Sequence, residues 1–240
     1  MRRVQAPSKL IGSKLAVNEV FGPTFQGEGP TSGYRAAFLR LARCNLSCTW
    51  CDTPYTWDWS RYEPNDEVHR IPPDELLSRI DAMGVDRLVI TGGEPLLQQA
   101  QLLELLRGCA ERGWAVEIET NGTRAPLPVV AAIVEQFNVA IKLANSAVAE
   151  RLRVRPAAIR ALADTGRAVF KFVVEEPEEL DEVATLVDRF GLGPVWIMPQ
   201  GTTPEMVLAG VRRLGDPVLE RGWNMTSRLH VLAWGNERGR

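Results

Sequence analysis

Several things that would settle the class of this chain by composition are scarce or missing. Four cysteines in 240 residues, three of them packed into positions 44–51, are too few and too clustered for a disulfide framework. A formal net charge of −2 supplies no field that would gather nucleic acid or an anionic membrane surface, so neither is expected as a partner. No run of about 18 apolar residues occurs, which argues against a transmembrane helix. The opening MRRVQAPSKLIGSK lacks the apolar stretch of a secretory signal. No Gly/Ser/Pro linker, low-complexity tract or internal repeat divides the chain. What remains, with 45% apolar and 24% charged residues, is ordinary soluble globular protein, and the cytoplasm is the expected compartment. Thiols stay reduced there, so clustered cysteines read as ligands rather than disulfide partners.

Residues 1–13 are polar, basic and aperiodic and read as a loose arm, leaving 14–240 as the folded core domain. Beyond the cysteines, apolar strand-like runs alternate with helical patterns, the signature of repeated βα units and a largely parallel sheet. The strand candidates are RAAFLRLA (35–42), DRLVIT (86–91), AVEIET (115–120), NVAIKL (138–143), AVFKFVV (168–174), VWIMP (195–199) and RLHVLAW (228–234). Between them PPDELLSRIDAMG begins with proline and stops at Gly84, and PLLQQAQLLELLRGCAERG stops at Gly113, both helical punctuation. Further helices are expected over 126–136, 156–165, 177–190 and 204–214. About six βα units follow, too few for a complete eight-unit barrel of about 250 residues, so a partial (β/α)6-type barrel in one domain is expected.

The chemistry concentrates in RCNLSCTWCDTPYTW (43–57), where Cys44, Cys48 and Cys51 are spaced C-x3-C-x2-C on a loop after a strand. Three thiolates on a cluster of four irons and four sulfides leave one iron without a protein ligand, a place where chemistry can occur. A zinc site is the alternative, and its fourth ligand would have to be His69, His230 or Cys109; Cys109 falls on an apolar helix face where cysteine acts as a small hydrophobe. A second constellation is LVITGGEPLL (88–97), an apolar strand running through Thr91, Gly92, Gly93 and Glu94 into a helix. Glycines at a strand's C-terminal end admit a ligand close to the backbone, and Glu94 could accept from an ammonium group. Alone, Gly-Gly is only a βα turn.

Together, CNLSCTWC and TGGEP some forty residues later resemble the radical S-adenosylmethionine superfamily. That resemblance implies that the cofactor's amino and carboxylate groups complete the unique iron, and that its reductive cleavage yields a 5′-deoxyadenosyl radical. More specifically, NEVFGPTFQGEGPTSGYRAAFLRLARCNLSCTWCDTPYTWD (18–58), with ETNGT, IKLANS, KFVV and MPQG further on, is similar to the 7-carboxy-7-deazaguanine synthase family. The family implies ring contraction of 6-carboxy-5,6,7,8-tetrahydropterin with loss of ammonia, in queuosine and related 7-deazapurine biosynthesis. It also implies a Mg2+ ion, an electron donor such as flavodoxin or ferredoxin, and a homodimer.

By the same likeness Phe25, Gln26, Gly27 and Glu28 form the substrate segment. Glycine there permits close approach, Gln26 offers donor and acceptor, and Glu28 accepts from the pterin's N–H groups. Arg40 shares a strand face with Phe38 by period-two alternation, and a core-facing arginine needs a carboxylate, for which the substrate's is the candidate. Thr91 would face the substrate. Thr53 matches the position that gives an oxygen to magnesium. Trp50, Cys51, Asp52, Gly93, Glu94, Glu119 and residues Ala140, Ile141 and Lys142 are expected to meet S-adenosylmethionine, with Glu119 on the ribose. Ala140-Ile141-Lys142 departs from the Ser-Pro-Lys often seen in the family, which removes a hydroxyl there. Arg240, in an ending WGNERGR unlike the best-known members, corresponds to the residue whose terminal carboxylate covers the substrate. A glycyl-radical activating enzyme shares the cysteine spacing but leaves FQGEG and Thr53 without a role, and a passive electron carrier would want a fourth cysteine.

Overall fold

Parity along each strand divides the molecule into a helix-covered face and an inner, polar face. In the computed structural model, which describes residues 14–240, Leu39 and Leu41, Leu88 and Ile90, Val116 and Ile118, Phe137 and Val139, and Phe170 and Phe172 enter one large apolar core. Their alternate neighbours point the other way, as the two-residue period of a strand demands. These include Arg40, Thr91, Glu119 and Lys171, which line one cavity. The expected arm over 1–13 lies outside the described residues.

The elements run β1 (Leu15–Phe25), β2 (Arg35–Leu41), α1 (Pro64–Glu67), β3 (His69–Ile71), α2 (Pro73–Asp81), β4 (Arg87–Gly92), α3 (Gln99–Glu111), β5 (Ala115–Thr120), α4 (Pro128–Ile133), β6 (Gln136–Val139), α5 (Glu150–Arg153), α6 (Pro156–Ala163), β7 (Ala168–Val174), α7 (Leu180–Phe190), β8 (Val195–Pro199), α8 (Pro204–Glu220), β9 (Asn224–Met225) and α9 (Leu229–Trp234). One sheet holds every strand in the order β3-β1-β2-β4-β5-β6-β7-β8-β9. From β2 to β9 all neighbours are parallel, and β1 is antiparallel to β2 and β3. The sheet ends in β3 and β9 and does not close, so the architecture is the partial barrel expected.

Local sequence accounts for most elements. Proline sits at the first helical position of α2, α4, α6 and α8, where its missing N–H costs nothing. Leu102, Leu105, Leu106 and Cys109 of α3 recur at helical spacing and are fully buried, each large side chain contributing about 1.5–3 kcal/mol. Gly113, at φ +70°, ends that segment in the left-handed region open to glycine.

Four expectations need correction. RLHVLAW is not a strand: 229–234 form α9, because a short apolar run does not separate the two periods and tertiary packing decides. The strand expected over 138–143 is β6 at Gln136–Val139, after which the chain turns into the site loop. The helix expected over 126–136 is shorter, since Gln136 already pairs with Glu117 of β5. The helix expected to end at 214 runs on to Glu220 through Pro217. Strand β1 was not among the expected strands. It carries two register shifts against β2, between Val17 and Glu19 and between Phe21 and Thr24. The first turns Glu19 away from the core face that Leu15 and Val17 occupy.

Candidate active site

The cavity opens at the C-terminal ends of the parallel strands, where βα architectures build their sites. Cys44, Cys48 and Cys51 lie on its wall, on the loop after β2. The loop is pinned by its neighbours. Glu94 N donates to Arg43 O at 2.8 Å, Thr49 N to Ser146 O at 3.1 Å, and Asn45 Nδ2 to Thr123 Oγ1 at 2.8 Å. Gly93 makes the first contact possible, because a Cβ there would stand 2.0 Å from the Arg43 carbonyl oxygen.

The donor set suits a polynuclear cluster. Among the described residues no three His, Cys, Asp or Glu side chains are gathered to hold a single metal ion, yet three cysteines share one wall. N–H groups already point at their sulfurs: Leu46 N to Cys44 Sγ at 3.5 Å, Asn121 Nδ2 to Cys44 Sγ at 3.8 Å, and Trp57 Nε1 to Cys51 Sγ at 3.3 Å. Such donors stabilise thiolate and tune a cluster's potential. Burial pushes the Cys44 thiol up to about 11 and raises Cys48 as well, so metal charge is what would keep these sulfurs ionised. Of the three candidate fourth ligands for zinc, two stand away from the cavity. Cys109 is fully buried in the main core, its thiol pushed up to about 12 by burial, and His69 lies on the edge strand β3. His230 lies in the cavity against the Gln26–Glu28 segment.

The same cavity is lined by Phe25, Gln26, Gly27 and Glu28. A Cβ on Gly27 would stand 2.0 Å from His230 Nδ1, so only glycine lets α9 close onto this segment. Gln26 is buried and its Nε2 donates to Glu119 Oε1 at 3.3 Å. Glu28 receives Lys171 Nζ on Oε2 and Arg228 Nε on Oε1, the latter at 3.1 Å. Burial alone would raise its pKa, but the charges of Lys171, Arg228 and His230 outweigh it and hold Glu28 well below the carboxylate range. Lys171, despite burial, is kept charged above its ordinary value by Glu28 and Glu119. Arg228 also donates to Asp52 Oδ2 and, through Nη1, to Gly201 O at 2.7 Å. Asp52 is thereby lowered against the effect of its burial. Burial, the largest influence on His230, lowers its pKa.

Arg40 and Phe38 both line the cavity, as alternation requires. Its carboxylate partner is Glu19, directly across the β1–β2 ladder, which accepts from Nε at 2.5 Å. No hydrogen bond engages the terminal amino groups of Arg40 among the described residues. Thr91 and Glu119 are joined by a 2.7 Å hydrogen bond and both line the cavity, with Trp50, Asp52, Thr53, Gly93, Ala140, Lys142 and Arg240. Lys142 Nζ stands 5.2 Å from the Trp50 ring centroid, a cation–π contact beside the cysteines.

Two residues expected at the cofactor have their side chains turned away from the cavity. Glu94 is fully buried and turned inward, accepting from Leu96 N at 2.9 Å, Thr120 Oγ1 at 2.8 Å and Asn121 N at 2.7 Å. Its carboxylate caps a turn at the strand ends. Ile141 has its side chain in the main core between two cavity residues. Lys171 and Arg228 went unassigned in the sequence, and His230 appeared there only as a zinc ligand. Lys171 did carry a signal, as the lone charge in AVFKFVV with the same inward parity as Val173. Arg228 had none, since its segment reads as a strand.

The radical SAM superfamily pattern matches residues 40–171, more than half of the chain. The 7-carboxy-7-deazaguanine synthase of Pyrobaculum aerophilum is 37% identical over 231 residues, covering 95% of this chain and 98% of that one. The chain belongs to this family. Membership in the 7-carboxy-7-deazaguanine synthases is repeated in the enzyme of that name from Hyperthermus butylicus, 34% identical over 241 residues and covering 96% and 97% of the two chains. In fold the chain is similar to the crystal structure of QueE from Escherichia coli, with a TM-score of 0.67, 24% identity, and 90% and 95% of the chains covered. As a radical SAM enzyme it carries the donor set for a 4Fe–4S cluster and uses S-adenosylmethionine. No helix among the described residues is long and apolar enough to cross a membrane.

Proposed function

We propose that the protein is the 7-carboxy-7-deazaguanine synthase of its source, converting 6-carboxy-5,6,7,8-tetrahydropterin to 7-carboxy-7-deazaguanine with release of ammonia, for queuosine or a related 7-deazapurine. One observation carries this reading: a single cavity is lined by the three cysteines together with Gln26, Glu28 paired with Lys171 and Arg228, and Arg40 paired with Glu19. Cys44, Cys48 and Cys51 would hold the cluster, with Trp50, Asp52, Gly93, Ala140 and Lys142 around the cofactor. When bound, the cluster and S-adenosylmethionine would supply the radical chemistry needed at the pterin carbon that bears the carboxylate.

The remaining work belongs to the chain. Glu28, anionic between two cations, accepts from the amino-pyrimidine N–H groups. Gln26, held by Glu119, offers its amide to the same edge, and His230 backs the segment through Gly27. The free N–H groups of Arg40 take the substrate carboxylate, which fixes the reacting carbon within reach. Thr53 would give magnesium one oxygen, and with Asp52 committed to Arg228 the other ligands come from substrate and water. Thr91 and Arg240, also in the lining, complete the substrate side, and Glu119, in the same lining, would meet the cofactor's ribose. Residues 14–240 acting as one core and a cytoplasmic location rest on the sequence pattern, and a flavodoxin or ferredoxin donor and a homodimer on family likeness.

The test is anaerobic. Protein reconstituted with iron and sulfide is mixed with dithionite and S-adenosylmethionine, with and without the pterin acid, and 5′-deoxyadenosine and the deazaguanine acid are measured. Formation of the acid only with the pterin is the expected result, and 5′-deoxyadenosine without it refutes the assignment. Arg40→Ala is expected to raise KM at least about tenfold, the cost of an unpaired substrate carboxylate.

A further inference from the structure

The segment after α9 lies along the cavity, with Asn236, Glu237, Arg238, Gly239 and Arg240 in its lining. Arg238 fastens it. Its Nη1 and Nη2 donate to the two oxygens of Glu67 at 3.2 and 2.7 Å, a two-pronged contact of the geometry in which guanidinium and carboxylate bind best. Nη2 also donates to Asn18 Oδ1 at 3.1 Å, and Nε to Glu19 Oε2 at 3.3 Å. The guanidinium lies 4.1 Å from the Tyr55 ring centroid, and Tyr55 is itself a cavity residue. One side chain thus spends all three nitrogens on β1 and the end of α1.

Glu19 is the shared member. Its Oε1 accepts from Arg40 Nε at 2.5 Å and from Tyr55 Oη at 3.5 Å, while Oε2 faces Arg238. A carboxylate is rigid, so turning it toward one guanidinium moves it from the other. It reaches this place only because of the β1 register shift between Val17 and Glu19, which breaks the alternation that would send Glu19 to the apolar core. The irregularity delivers a carboxylate between two arginines.

We propose that Glu19 is a positioning residue with two tasks, orienting Arg40 toward the substrate carboxylate and, through Arg238, anchoring the 235–240 segment over the cavity, so that gripping the substrate and covering it are mechanically linked. This rests on the substrate reading above, so the test has one arm that does not depend on it.

Hydrogen–deuterium exchange of the whole protein without ligands reports the anchoring directly. Arg238→Ala and Glu19→Gln are each expected to raise exchange across 235–240 while the α3 and β5 peptides keep their protection, and Arg238→Lys is expected to restore part of it. In turnover, Arg238→Ala should raise the KM for the pterin acid about tenfold with a much smaller change in kcat. Because both substitutions act through one carboxylate, the double variant should raise KM by clearly less than the product of the single effects. Unchanged exchange over 235–240 in Arg238→Ala overturns the anchor. Single effects on KM that multiply in the double variant overturn the linkage. If the wild-type protein does not turn over the pterin acid at all, the substrate reading fails, and the exchange arm still decides the anchor.

Discussion

Buried charge is the costliest feature of the site, and Lys171 carries most of it. The Lys171 ammonium and the Glu28 carboxylate are each almost out of solvent, at 5% and 13% side-chain exposure, with Arg228 at 7% on the other side of Glu28. Groups so buried are tolerated only while paired, and removing one partner strands the other. Lys171→Met should therefore destabilise the protein by about 3 kcal/mol in urea unfolding, whereas Lys171→Met combined with Glu28→Gln should recover much of that loss. An additive double variant would mean that the two residues do not depend on each other. The cysteines were readable from residue type and spacing, whereas the Gln26-Gly27-Glu28 segment was singled out only by its likeness to the family, since a glycine-rich loop has no chemistry of its own. Arg40 was readable only in part: alternation put it on the inner face, but its Glu19 partner lies across a bulged ladder that no local pattern announces.

Elements set where those residues stand. The loop after β2 presents its sulfurs because three backbone or amide contacts hold it, and because the 3-10 turn Pro54–Thr56 delivers Trp57 Nε1 to Cys51 Sγ. Trp57→Phe removes that donor while keeping the ring, so the reconstituted cluster should be harder to reduce, with a more negative potential in an EPR-monitored redox titration. Glycine substitutions separate close approach from backbone conformation. Gly93→Ala drives a Cβ into the Arg43 carbonyl, which cannot yield without moving the cysteine loop, so iron incorporation should fall severalfold. Gly113→Ala meets nothing within 4 Å and only strains φ at +70°, so it should cost about 1–2 kcal/mol and leave iron content unchanged. Helices with proline starts and glycine stops were legible for the same reason: those residues restrict the backbone by themselves. Six residues of RLHVLAW form α9 against the expectation of a strand, because its short apolar run satisfies either period and docking against Gly27 selects the helix.

At the scale of the whole molecule, opposite pKa shifts leave a net pH signature. Glu28 and Asp52 are lowered from ordinary values of 4.5 and 3.8, so each contributes stability that is complete above those values and lost as pH falls through the folded-state pKa. Glu94 has the reverse sign: burial raises it above 4.5, so its contribution is present below that value and declines as pH rises. Melting temperature should fall on acidification below about 4.5, and the gap between wild type and Glu28→Gln should be widest near neutrality and close as the pH drops. A gap independent of pH would remove Glu28 from the balance. The alternation of apolar and polar residues, the proline and glycine punctuation, the cysteine spacing and the parity that points Arg40, Thr91 and Glu119 inward were determined by the sequence alone, since each is a property of neighbours along the chain. Only the tertiary structure decided that Glu28 is neutralised by Lys171 and Arg228, 143 and 200 positions away, that Asp52 is held by Arg228 at a separation of 176, and that Glu94 turns inward. Coulomb attraction and desolvation depend on distance in space, and the order of residues along a chain does not contain that distance until the sheet has brought its strand ends together.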